Sequence, residues 1–399
     1  MKLSRRVSML TPSATLQAKS DAEKARQAGI DVIDFGPGEP DFDTPEPIKN
    51  AAKRALDDNF THYVDTAGIP ELRSGLADRY HRDHDTPYLT DEVMIGCGGK
   101  NLLFLLAQAA FEPGDRVALF APYWVSFPDQ IRLAGAEPVI LPTREEHGFV
   151  PRAEVLARCH SEKGVRAVIL NSPCNPTGAV IPPEEVVRFV DLARRHDILL
   201  ISDETYEFFY YGSGAFASFA PFASRIKDQL VLVGSFSKSY AMTGWRVGYA
   251  LGSRELIQAM VKIQSHDASH TASFAMKGAV EALATPRSVL AAMKEDYRRR
   301  RDLMVDGLSR VEGVRCHVPE GAYYVFPNMR GFMQRFDLSS SVDLSRVLLR
   351  SLGLATVPGS AFGMDGYLRI SYAVREDRLR EGLRRLQGCR SLPGLVPAG

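Results

Sequence analysis

Four short runs in the middle of the chain carry apolar residues at consecutive positions, without alternation. They are RVALFAP (Arg116–Pro122), RAVILNSP (Arg166–Pro173), ILLISDE (Ile198–Glu204) and QLVLVGS (Gln229–Ser235). A strand that is apolar at every position is buried on both faces, as in a parallel sheet covered by helices. Between the second and third runs lies PPEEVVRFVDLARRHD, where Val186, Phe189, Val190 and Ala193 share one helical stripe and prolines and acids mark the N-terminus. This alternation predicts βαβ units and a parallel or mostly parallel sheet. TPEPIKNAAKRALDD (Thr44–Asp58) predicts a further helix with Pro at its start. Beyond Arg254 the pattern turns helical. RSVLAAMKEDYRRRRDLMVDGLSRV (Arg287–Val311) is long enough to link two domains. After it, GAYYVFPNM and GYLRISYA read as strands separated by a helical SVDLSRVLLRSLG. The expected fold is α/β. A large domain with a mostly parallel sheet covers residues 46–295, and a smaller α+β domain is built from residues 1–45 and 296–399.

Charge narrows the possible partners. Lys and Arg number 49 against 48 Asp and Glu, a formal net charge of +1. That balance gives no electrostatic footprint for nucleic acid or a membrane surface. No run approaches the ~18 apolar residues of a membrane span. The five cysteines, with no C-x-x-C, read as reduced thiols rather than a disulfide framework or zinc site. The start MKLSRRVSML lacks an apolar region of signal-peptide length, so a cytoplasmic protein is expected.

In open α/β sheets, ligands bind at the carboxyl ends of the strands, and the polar residues cluster there. Asn171 and Asn175 follow one apolar run, Asp203 and Tyr206 the next, and Ser235 and Lys238 the third. Arg246, Ser235, Ser237 and the CGGK segment (Cys97–Lys100) ahead of an apolar helix offer a phosphate site. Lys238 offers an amine to an aldehyde. Asp203 offers a carboxylate to a protonated ring nitrogen, and Tyr206 a phenol to a ring oxygen. Together these residues describe pyridoxal 5′-phosphate.

The motifs also carry a resemblance. LTPSATL, GEPDFDTP, HYVDTAGIPELR, GCGGK, PYWVSFP, NSPCNPTG, SDETY, SFSKSYAMTGWRVGY, GAYYVF, VPGSAFG and YLRISYA occur in this order over nearly the whole chain. The set resembles the class I aminotransferases among the fold-type I pyridoxal-phosphate enzymes. It is most similar to the bacterial gamma-type aspartate aminotransferases, some of which also act on prephenate. The resemblance implies a ping-pong amino transfer between an L-amino acid, aspartate favoured, and 2-oxoglutarate. Lys238 then forms the Schiff base and shuttles the proton, Asp203 pairs with the pyridine nitrogen, and Tyr206 and Asn175 meet the ring oxygen. Trp124 stacks on the ring. Gly99, Lys100, Ser235, Ser237 and Arg246 hold the phosphate. Tyr63 reaches the phosphate of the neighbouring subunit, which implies a homodimer with shared sites. Arg369 grips the substrate α-carboxylate close to Gly38. Lys100, with hydroxyls of Pro12–Thr15, holds the distal carboxylate, and Trp124 and Asn175 also border the substrate.

Transfer from aromatic amino acids or to prephenate, and a β-lyase reaction on the same fold, stand as alternatives. One segment departs from the family pattern. IQSHDASHTASF brings His266, Asp267 and His270 where relatives tend to carry a TSNPTS-like loop, and a change in substrate side-chain recognition is expected there. No metal is assigned to that His pair.

Overall fold

The computed structural model describes residues 3–389. The outermost residues of the expected small domain, 1–2 and 390–399, lie outside the described residues. Twelve strands are described, and in chain order they are β1 (Ile33–Asp34), β2 (Val93–Gly96), β3 (Arg116–Ala121), β4 (Glu137–Pro142), β5 (Ala167–Asn171), β6 (Leu199–Asp203), β7 (Leu230–Ser235), β8 (Gly248–Leu251), β9 (Tyr324–Val325), β10 (Leu354–Ala355), β11 (Val357–Pro358) and β12 (Leu368–Ser371). Seven form one sheet in the order β2-β8-β7-β6-β5-β3-β4. Five of these run parallel, from β7 across to β4, while β8 is antiparallel to both β7 and β2. The sheet is therefore mixed but mostly parallel, as the consecutive apolar runs predict.

The central strands are buried on both faces. Val231, Leu232 and Val233 of β7 are fully covered, and two apolar clusters lie on opposite sides of the sheet. Each such side chain contributes roughly 1.5–3 kcal/mol by leaving water. The helix Pro183–His196 buries Val186, Phe189, Val190 and Ala193 against one face. Glu184 and Glu185 sit in its first turn, and Arg194, Arg195 and His196 in its last. These charges complement the helix dipole at both ends.

Two smaller sheets complete the fold. β11-β12-β9 is antiparallel, and β1 pairs in parallel with β10, which ties the N-terminal segment to the C-terminal part of the chain. The helix Arg287–Ser309 places Leu290 in the core of the large sheet. Its Met293, Tyr297, Met304 and Leu308 enter a second core around β9 and β12. One helix thus packs into both cores.

Candidate active site

Strands β5, β6 and β7 are adjacent, so their carboxyl ends converge. They open into a cavity of about 290 Å³. Gly38, Gly99, Lys100, Trp124, Asn175, Asp203, Tyr206, Ser235, Ser237, Lys238, Arg246 and Arg369 all line it. The sequence-predicted Tyr63 does not. It stands 90% exposed on the surface, with its ring edge-on to His270 at 5.6 Å. Thr15, Asn171, Thr205 and Tyr324 line the cavity as well. Thr205 and Tyr324 carry no role in the sequence reading. Two adjacent tyrosines in the buried strand motif GAYYVF were the available signal for Tyr324.

Lys238 lies in the short helix Phe236–Ser239 that follows β7, and Ser235 caps that helix by accepting the Ser237 N–H at 3.1 Å. The Lys238 amine donates to the Gly38 carbonyl at 2.6 Å. Burial, followed by the neighbouring Arg246, Arg369 and Lys100 charges, lowers its pKa to about 8, with Glu39 opposing. Asp203 ends β6 and accepts the Thr205 N–H at 3.1 Å. Burial raises its pKa, while the Thr205 hydrogen bonds and the Lys238 charge hold it down. The next residue, Glu204, accepts from the Ser202 and Ser218 hydroxyls at 2.9 and 2.7 Å and from the Phe219 N–H at 3.0 Å. This anchors the exit of β6, and burial pushes the Glu204 carboxyl up to about 7.

The backbone of the CGGK segment is cradled closely. A side chain on Gly98, which has φ +86°, would stand 2.6 Å from the Arg246 guanidinium, and one on Gly248 would stand 2.6 Å from the Gly99 nitrogen. Only glycine fits these approaches. The helix Gly99–Ala110 starts there, so its first N–H groups face the cavity without partners inside the helix. Arg246 is held by the Thr243 and Cys97 carbonyls at 2.8 and 3.2 Å. The arrangement suits a phosphate.

Arg369, on β12, is 2% exposed. It donates to Asn175 Oδ1 at 3.1 Å and to the Gly36 carbonyl at 2.5 Å. Its buried Nε has no hydrogen-bond partner among the described residues. A buried guanidinium N–H left unpaired is costly, and a carboxylate satisfies it. Lys100 lies over the Trp124 ring at 5.0 Å, and burial with the nearby Arg246 charge lowers its pKa. It also borders a second, outer cavity of about 650 Å³ formed with Thr11, Ser13, Asn101, Phe104 and Arg132.

The departing segment resolves into separate roles. Asp267 accepts from Asn101 Nδ2 at 3.2 Å and lines the outer cavity. His270 accepts the Val64 N–H on Nε2 at 3.3 Å, so it holds the loop that carries Tyr63. Among the described residues, no group of three or more His, Cys, Asp or Glu is placed to hold a metal. No described helix is long and apolar enough to cross a membrane.

A reversed strand beside β7, a lysine just past β7 and a buried aspartate ending β6 are the features this chain brings to the comparison with the aminotransferases. The chain belongs to the aminotransferase class I and II family, whose model matches residues 30–386. It is 43% identical over 387 residues to a protein of Aquifex aeolicus described as a probable aspartate/prephenate aminotransferase, covering 96% of this chain and 98% of that one. It is 39% identical to the aspartate aminotransferase of Bacillus subtilis over 97% of this chain and 98% of that one. Among solved structures, the aspartate aminotransferase of Thermus thermophilus with maleate superposes with a TM-score of 0.91. The identity there is 39%, covering 97% of this chain and 99% of that one.

Proposed function

We propose that the protein uses pyridoxal 5′-phosphate to move an amino group from an L-amino acid, aspartate preferred, to 2-oxoglutarate. The observation that carries this reading is the buried Arg369 guanidinium, with one N–H unpaired among the described residues, lining the cavity that Lys238 and Asp203 also line. The donor set fits the cofactor. Ser235, Ser237, Arg246 and the Gly99–Lys100 backbone suit its phosphate, Asp203 its ring nitrogen, and Tyr206 and Asn175 its ring oxygen. Trp124 suits its ring face, and Lys238 its aldehyde. When bound, the cofactor withdraws electrons from the substrate Cα.

The chain's own residues do the rest. Arg369 orients the α-carboxylate beside Gly38. With its lowered pKa, the Lys238 amine is available as a neutral base that would take the substrate Cα proton and hold it as the acid for the return step. Asp203 keeps a cationic ring nitrogen protonated by its charge. Two half-reactions on one site imply ping-pong kinetics.

Lys100, which borders both cavities, supports a dicarboxylate preference. The Thermus relative solved with maleate, itself a dicarboxylate, points the same way. A second reading, prephenate as amino acceptor, is favoured by the description of the Aquifex relative and by the volume of the outer cavity, about 650 Å³. We also infer a homodimer in which Tyr63 serves the neighbouring site; its 90% exposure supports this. The β1–β10 pairing supports the division into domains 46–295 and 1–45 with 296–399. The free cysteines support a cytoplasmic setting.

The test is acceptor dependence. Protein supplied with aspartate and pyridoxal 5′-phosphate is expected to accumulate the 2-oxo acid continuously only when 2-oxoglutarate is present. Continued release well beyond one equivalent per site without an acceptor would overturn the reading.

A further inference from the structure

Tyr324 sits where the two halves of the cavity meet. It lies on β9, is fully buried, and lines the cavity. Its hydroxyl is 2.8 Å from the hydroxyl of Tyr206, 118 residues earlier. The Arg369 guanidinium lies 4.6 Å from the centre of its ring. On the third side stands Gly38, where an added Cβ would come within 2.7 Å of the Tyr324 oxygen. The phenol is therefore held against Tyr206, with the Tyr323 hydroxyl, which spends its own proton on the Gly38 carbonyl, as its other neighbour.

The hydrogen-bond count decides what this contact does. Each phenol has one O–H, and the 2.8 Å contact takes one proton. If Tyr206 gives its proton to Tyr324, it has none for a ligand. If Tyr324 gives its proton to Tyr206, the Tyr206 O–H is free to donate into the cavity. Burial raises both phenols above their usual pKa, Tyr206 well above it, so both protons are present at working pH. The Arg369 charge over the Tyr324 ring draws electron density from it and strengthens its O–H as a donor.

We propose that Tyr324 is a positioning residue that donates its hydroxyl proton to Tyr206 and thereby directs the Tyr206 O–H onto the cofactor's ring oxygen. The inference rests on the proposed reading that Tyr206 serves that oxygen. Tyr324 then acts on the cofactor through Tyr206. A hydrogen bond to a donor strengthens that donor in a low-dielectric site, so loss of the Tyr324 hydroxyl weakens the hold of Tyr206 on the ring oxygen. A less stabilised ring oxygen raises the basicity of the neighbouring cofactor nitrogen.

The test is the pH titration of the visible absorbance of protein loaded with pyridoxal 5′-phosphate, in wild type, Tyr324→Phe, Tyr206→Phe and the double variant. Phe keeps the Tyr324 ring and its packing and removes only the oxygen. The charged groups lining the cavity, which are Lys100, Asp203, Arg246, Arg369 and Lys238 itself, are the same in all four proteins, as are Glu39, whose charge acts on Lys238, and the Tyr323 phenol beside Tyr324. A shift therefore reports the phenols. Tyr324→Phe is expected to raise the titration midpoint by about 0.5–1 pH unit, and to cause no further shift once Tyr206 is Phe. An unmoved midpoint in Tyr324→Phe, or an equal shift in the Tyr206→Phe background, would overturn the role of Tyr324. Absence of any cofactor absorbance in the wild type would instead overturn the proposed function.

Discussion

The Lys238 amine donates to the carbonyl of Gly38, 200 residues earlier, at 2.6 Å. The Tyr323 hydroxyl donates to the same carbonyl at 3.1 Å. The segment between β1 and the helix Glu46–Asp57 is thus fastened over the cavity, partly by the amine assigned to the reaction. Lys238 must leave this carbonyl to meet an aldehyde, and it attacks only as the neutral amine.

Capture of pyridoxal 5′-phosphate by the cofactor-free protein should therefore depend on pH. With the Lys238 pKa lowered to about 8, the neutral fraction grows as pH rises through about 8. The capture rate, followed by absorbance, is expected to climb and level off across that range. A rise centred near the ordinary lysine value would contradict the burial argument. The linked stability has the same sign. Between about pH 8 and the unfolded value of 10.5, the unfolded chain binds more protons at this group, so its contribution to stability increases with pH over that window.

Asp203→Asn removes charge and keeps shape. The ring nitrogen loses the partner that keeps it protonated, and transamination is expected to fall by orders of magnitude. A neutral hydrogen bond, worth ~1 kcal/mol, accounts for far less. Steady-state rates with aspartate and 2-oxoglutarate decide this. Near-normal turnover would show that another acid holds the ring.

Assembly is tested by mixing. If Tyr63 serves the neighbour's site, inactive Tyr63→Phe and Lys238→Ala proteins are expected to regain part of the activity when refolded together, because each mixed dimer contains one intact site. A fully active monomer by light scattering would exclude the arrangement.

Lys100→Ala tests the substrate class. A monocarboxylate leaves the Lys100 charge unpaired, and because that side chain is exposed in the free chain, the pairing is screened by solvent and is worth about 1 kcal/mol. KM for aspartate is expected to rise far more than KM for an aromatic amino acid. Equal weakening of all substrates would assign Lys100 to the phosphate alone.

Lys238, Asp203 and Asn175 were legible in the sequence because each follows an apolar run within a few residues, and a strand's exit is a local property. β5, β6 and β7 were legible for the same reason, since burial on both faces writes itself as unbroken Val, Ile and Leu. β4 escaped that criterion. Its apolar run is only Val139, Ile140 and Leu141, set between Pro138 and Pro142, and as the edge strand it alternates between exposed and buried residues. β2 has only four residues, too few to announce a strand.

The sequence by itself determined the class of fold, the family and the chemical kinds of group at the strand ends. Those follow from residue type and short-range spacing. The tertiary structure alone decided the relationships across the chain. It set the reversed direction of β8, the 3.1 Å bond from Arg369 to Asn175 across 194 residues, the Tyr206–Tyr324 contact, and the grip of His270 on the Tyr63 loop. Each joins groups far apart along the chain. Their meeting depends on how sheets and helices stack, a property of the packed whole that no local pattern encodes.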